Sequence, residues 1–126
     1  MGQMVIGVLY GCEAPKGVRM FDDDADDGGL LERWGTESGE RYPRRFRVDW
    51  VHEADKELIG YWVLCEHGDE KGVTSLNGRA IALDSINDSE AHARARFAWE
   101  RFAKWAQQRG VQLPAARLWL APTEVA

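Results

Sequence analysis

The segment 88–110 constrains the fold most, because its apolar residues recur with the period of an α-helix. At 100° per residue, one face collects seven apolar residues: Ala91, Ala95, Ala98, Trp99, Phe102, Trp105 and Ala106. The opposite face holds Glu90, Arg94, Arg101, Lys104 and Gln108. Asn87 or Asp88 can cap the start of the helix, and Gly110 can end it. We therefore expect one long amphipathic helix that packs across a sheet.

The remaining apolar segments predict that sheet. Residues 45–50 alternate apolar and charged side chains, which is typical of a strand with one solvent-exposed face. Residues 58–65 are apolar at both alternating sets of positions, which indicates a central strand covered on both faces. Asn77 and Gly78 form a dipeptide typical of a tight hairpin. The predicted strands are 4–10, 45–50, 58–65, 73–76, 79–83 and 117–121, with the middle four forming an antiparallel meander.

Together these elements predict an α+β fold. We expect an antiparallel or mixed sheet of about five to six strands, with one long amphipathic helix packed on one face. A chain of 126 residues has the usual size of one domain, so the predicted domain is 1–126.

Residues 12–43 follow neither the helical nor the strand period. They contain Pro15, Pro43 and the acidic run 22–27, and only residues 30–34 suggest a short helical turn. Irregular connections of this length are unusual in compact domains and are often functional. We expect this long acidic segment, or another subunit, to cover the sheet face opposite the helix.

Charge and hydropathy exclude several classes of function. The formal net charge of −5 argues against direct binding to nucleic acid or to an anionic membrane surface. No apolar run approaches the roughly 20 residues needed to cross a bilayer, and residues 1–4 lack the basic start of a secretion signal. We therefore expect a cytoplasmic protein with no nucleic-acid partner and no membrane partner. Cys12 and Cys65 are far apart, and we expect two buried, reduced thiols.

The sequence contains no complete motif for a metal, a cofactor or a catalytic centre. Asp22, Asp24 and Asp26 have the alternate spacing with which a calcium loop begins. The sixth position of that loop, however, is Asp27 where glycine is required. The remaining ingredients for catalysis are Cys12, His52, His67 and His92. Because nothing in the sequence pairs these residues, we predict no metal and no cofactor, and we favour a protein that is not an enzyme.

Phe97 is the unusual residue of the predicted helix, because the helical projection places it on the polar face. Its predicted neighbours are Arg94, Arg101 and Lys104. One interpretation is that the segment 12–43 folds back over this face, with Met20, Phe21 or Leu30 covering Phe97 and the aspartates near the cations. The other is that Phe97 is an aromatic contact for a protein partner. The predicted partner-binding residues are Phe97, Arg94, Arg101, Lys104, Asp22, Asp23, Asp24, Asp26 and Asp27.

Three functions fit these observations. We favour a non-catalytic protein-interaction or regulatory module, which binds a protein partner or a second copy of itself and needs no catalytic motif. The alternative is a small hydrolase or transferase, with a pocket between the segment 12–43 and the sheet and with Cys12 or the aspartates as working groups. A third hypothesis, an acidic decoy that competes with nucleic acid for a DNA-binding partner, depends on the aspartates alone.

Overall fold

The protein has an α+β fold with an antiparallel sheet and one long helix, as the sequence predicts. The computed structural model describes residues 3–15, 29–41, 43–48, 56–65, 73–75 and 80–125. In chain order the elements are β1 (Gln3–Glu13), α1 (Leu30–Ser38), β2 (Arg44–Val48), β3 (Lys56–Cys65), β4 (Thr74–Ser75), α2 (Leu83–Asn87), α3 (Glu90–Gln108) and β5 (Arg117–Val125). Within the described ranges, no helix has both the length and the apolar composition needed to cross a membrane.

The sheet places β1 and β3 at its centre. Its strands lie in the order β2-β3-β1-β5, each antiparallel to its neighbour, and β4 pairs in parallel with the end of β3. Gly11 of β1 lies opposite Gly60 of β3, and a Cβ atom at either position would overlap the backbone of the other strand. The two edge strands β2 and β5 also contact each other, so the sheet is strongly curled.

Apolar side chains cover both faces of the central strands. The helix-side core joins β1 and β3 to α1 and α3, and its largest members are Trp34, Tyr61, Trp99, Phe102 and Trp105. The opposite-side core consists of Leu9, Leu58, Trp62 and Cys65, with Trp119 and Val73 packed against it. The prediction that β3 is covered on both faces is therefore confirmed.

The predicted four-strand meander is wrong, and a sixth strand at 79–83 is not supported, because its described residues 80–83 contain no strand. In the described part of 73–83, only Thr74 and Ser75 form a strand, and they pair in parallel rather than in a hairpin. Residues 80–82 have no regular structure, and the helix α2 starts at Leu83. A helical turn brings Ile86 into the helix-side core, and this burial is the physical reason that the chain is helical from Leu83 onwards instead of extended. Asn77 and Gly78 lie outside the described residues.

Three further predictions differ from the structure. Ser89 caps α3 instead of Asn87 or Asp88, because those residues belong to the end of α2. β5 continues through Pro122, which an edge strand can tolerate because one side of the strand makes no ladder hydrogen bonds. The helical turn expected at 30–34 is a longer helix, and it lies on the same face as α3 rather than on the opposite face of the sheet.

Candidate functional site

The first turn of α3 is held in place by its cap and by a buried histidine. The Ser89 hydroxyl accepts a hydrogen bond from the backbone N–H of His92 at 3.1 Å and donates one to the Ile86 carbonyl at 2.7 Å. The Nδ1 atom of His92 lies 2.7 Å from the Asn87 carbonyl oxygen, and its ring packs against Tyr10. Because a carbonyl can only accept, Nδ1 carries the proton. These contacts fix the position of the helix surface that follows.

Phe97 lies on this surface with 64% of its area exposed. The guanidinium of Arg101 lies 5.8 Å from the centre of the Phe97 ring, which is a cation–π distance. Arg94, one turn before, makes an exposed ion pair of 3.7 Å with Glu90. We call Arg94, Phe97 and Arg101 the Phe97 face. The structure thus brings together three of the four helical residues that the sequence predicted for a partner site.

The predicted cover of Phe97 is wrong for the described residues. Leu30, one of the three expected covering residues, is buried in the helix-side core instead. Met20 and Phe21 lie outside the described residues, as do the aspartates Asp22, Asp23, Asp24, Asp26 and Asp27. Phe97 is exposed because α1 packs against the C-terminal half of α3, through Trp34, Phe102 and Trp105.

Glu37 of α1 and Glu40, two residues beyond its end, make acidic contacts with α3 that the sequence does not predict. Glu40 makes an ion pair with Arg101. Glu37 accepts a hydrogen bond from the Trp105 indole at 2.7 Å and another from Arg109 at 3.0 Å. The segment 12–43 therefore does reach the basic helix, but through Glu37 and Glu40. No local pattern could have found these contacts, because the partners lie 61 to 72 positions apart.

An open groove of about 890 Å³ runs beside Phe97, and we call it the Phe97 groove. Among the described residues it is lined by Arg41, Trp62, Ala91, Ala93, Arg94, Phe97 and Ala98. Trp62 contributes the β3 side of the groove. Along one edge of β3, β2 pairs with residues 56–60 and β4 pairs with Leu64 and Cys65, so Trp62 lies between the two paired regions. Ala93 and Phe97 are four residues apart and are therefore neighbours on the surface of α3. A small residue beside a large ring is the sequence signal that could have indicated the groove.

Lys104, the fourth predicted helical residue, lies away from the Phe97 groove. It lines a second, smaller hollow of about 380 Å³ between α3 and the chain that leads into β5. Tyr10 and Glu100 line the same hollow. Burial raises the pKa of Tyr10, and the nearby Glu100 carboxylate raises it further while Arg96 lowers it. The structure therefore divides the predicted basic cluster into two surfaces.

Two of the candidates for catalysis, Cys12 and His92, lie among the described residues, and both are buried. Cys12 is 1% exposed, and burial raises its pKa to about 12, with a smaller contribution from Glu13. A thiol with this pKa stays protonated near neutral pH and is a poor nucleophile. The described contacts of the buried His92 are structural, with Ser89, Asn87 and Tyr10. His52 and His67 lie outside the described residues.

The described residues contain no group of three or more His, Cys, Asp or Glu side chains that could hold a metal ion. No protein-family model matches the chain, and comparisons with curated proteins and with solved structures find no match. Only the geometry of the molecule itself therefore indicates a function.

Proposed function

We propose that the protein is a non-catalytic interaction module that binds a protein partner through the Phe97 face. The observation that supports this proposal is a large aromatic side chain left 64% exposed on a well-anchored helix. Phe97 combines a flat apolar ring with neighbouring guanidinium groups, and aromatic and arginine residues are enriched at the energetic centres of protein interfaces. No reaction chemistry is needed for this role.

Removal of the Phe97 ring tests the proposal. In Phe97→Ala, we expect loss of any protein that the wild-type chain retains from its host lysate, because the aromatic anchor is gone. The melting temperature should stay close to that of the wild type, because little apolar area of Phe97 is buried in the free protein. The measurements are affinity capture with quantitative mass spectrometry and a thermal melt.

Leu83→Ala is the matched control, because Leu83 is also a large apolar side chain and is 74% exposed, but it lies on α2. It should retain the same proteins as the wild type. Equal capture by Phe97→Ala and the wild type would contradict the proposal, as would a marked drop in the melting temperature of Phe97→Ala.

A further inference from the structure

We propose that the Phe97 groove binds an acidic segment of the partner, with an apolar side chain of that segment seated beside Phe97 and its carboxylates near Arg41 and Arg94. This inference depends on the function proposed above and names the chemistry of the partner. Three features of the groove support it: its size and lining, its charge, and the rigidity of its walls.

The groove has the size and the lining of a site for partner side chains. Its volume of about 890 Å³ lies at the upper end of the range typical of ligand pockets. The helix contributes three alanines to the lining, Ala91, Ala93 and Ala98. Because these side chains are short, they leave a depression in the surface of α3 beside the larger Phe97 ring. A bulky apolar side chain of a partner can therefore pack against the helix and the ring together.

The charge of the groove selects an acidic occupant. Two of the described lining residues are arginines, Arg41 and Arg94, and none is acidic; the neighbouring Glu90 makes only an exposed ion pair of 3.7 Å with Arg94. This excess of cations stands out in a chain of net charge −5. Opposite charge at an interface steers the correct partner to the site and disfavours basic competitors.

Both walls of the groove are held in position before a partner binds. The Tyr61 hydroxyl donates a hydrogen bond of 3.0 Å to the Arg41 carbonyl, and the Arg41 guanidinium lies 5.1 Å from the centre of the Tyr61 ring. The helical wall is anchored by the Ser89 cap described above. A site organised in this way loses less conformational entropy on binding than a mobile surface would.

The experiment measures fluorescence polarisation of three labelled synthetic helical peptides. All carry Leu at every third or fourth position, and the other positions are Glu in the first peptide, Gln in the second and Lys in the third. We expect the Glu peptide to bind the full-length protein. The Gln peptide should bind at least about tenfold more weakly and the Lys peptide more weakly still. Added salt should weaken binding of the Glu peptide.

Two substitutions at Ala93 locate the binding site. Ala93 is exposed and lines the groove, so both variants should fold. Both substitutions add similar bulk to the groove, so only their charges differ; Ala93→Glu should weaken binding of the Glu peptide at least about tenfold more than Ala93→Lys does. Gln108→Glu and Gln108→Lys are the matched controls for net charge, because Gln108 is exposed on α3 and does not line the groove. Both controls should stay within about twofold of the wild type.

Several outcomes would overturn the inference. They are no binding of the Glu peptide, equal binding of the Glu and Gln peptides, or equal effects of Ala93→Glu and Ala93→Lys. If the Ala93 variants bind normally while Phe97→Ala loses the native partner, the acidic-groove inference fails and the proposed function stands. If Phe97→Ala keeps the native partner, the proposed function fails independently of the peptide result.

Discussion

At the scale of single residues, burial decides which side chains can react. Cys12 is enclosed by the helix-side core, and the loss of hydration there disfavours the thiolate. Phe97, in contrast, is apolar and exposed. The sequence presents the thiol as a possible nucleophile and the ring as a side chain that needs cover. The structure confirms the expected burial of Cys12 and leaves Phe97 without the expected cover.

The pKa of Cys12 predicts a loss of stability at alkaline pH. Below the ordinary thiol pKa of about 9, the folded and the unfolded chains both keep this proton, and the full contribution to stability is present. Above that pH the unfolded chain loses the proton first, so stability falls by up to about 1.4 kcal/mol per pH unit until the pH approaches about 12. Urea denaturation between pH 8 and pH 10 measures this decline.

Cys12→Ala provides the comparison for the alkaline measurement. Substitution removes the titrating group, so the free energy of unfolding should fall less steeply with pH in this variant than in the wild type. The tyrosines with raised pKa, Tyr10 and Tyr61, are common to both proteins and contribute chiefly above pH 10. Parallel declines in the two proteins would show that Cys12 is not the group responsible.

At the scale of elements, α1 is joined to α3 by a mixture of aromatic packing and charged hydrogen bonds. The rings of Trp34 and Trp105 lie 5.5 Å apart. Glu37 accepts hydrogen bonds from the Trp105 indole and from Arg109, and the Arg109 guanidinium lies 4.1 Å from the centre of the Trp105 ring. This contact places α1 on the C-terminal half of α3 and leaves the Phe97 face exposed.

We predict that Glu37→Ala lowers the free energy of unfolding by about 1–2 kcal/mol, because it removes one hydrogen bond to the buried Trp105 side chain and one exposed ion pair. Glu37→Gln should cost less, because its amide oxygen can still accept from Trp105. The matched control is Glu40→Ala, whose ion pair with Arg101 is exposed and worth about 0–1 kcal/mol. Chemical denaturation measures all three. Equal losses in the two alanine variants would contradict this account of the α1–α3 contact.

At the scale of the whole molecule, the curled sheet separates two apolar cores. Gly11 and Gly60 lie opposite each other and let β1 and β3 approach closely, and the Trp119 indole donates a hydrogen bond of 3.0 Å to the Gly11 carbonyl from β5. Leu9 of β1 is fully buried in the opposite-side core, against which Trp119 of β5 packs. The close approach at Gly11 therefore supports the packing of β1 between β3 and β5.

We predict that Gly11→Ala destabilises the protein by about 2–3 kcal/mol. The new Cβ would overlap the backbone of Ile59 and Gly60, and backbone atoms cannot move aside as a flexible side chain can. Gly110→Asn is the control, because Gly110 has a positive φ of 80° but no atoms within 4 Å of the added Cβ. Asparagine tolerates this conformation, so the loss should be below about 1 kcal/mol. Thermal melts and urea denaturation compare the two, and equal losses would argue against a steric cause.

The fold class and the best-defined elements could be predicted from the sequence, because they depend on local periodicity. The apolar stripe of α3 and the doubly apolar β3 have to be buried wherever the chain places them. The strand predicted at 79–83 is wrong for its described residues 80–83, because that prediction also depended on local periodicity alone. Their apolar run fits a strand locally, but burial of Ile86 in the helix-side core leads instead to the helix that begins at Leu83.

The candidate site, like the fold, could be predicted only in part from the sequence. Helical spacing alone grouped Phe97 with Arg94 and Arg101, because residues three and four apart are neighbours on any helix. Only the tertiary structure decided that Phe97 is exposed, that Glu37 and Glu40 reach α3, and that Arg41 and Trp62 complete a groove. These features depend on contacts between distant segments, and the energy of such contacts is set by the packing of the whole chain rather than by any local pattern.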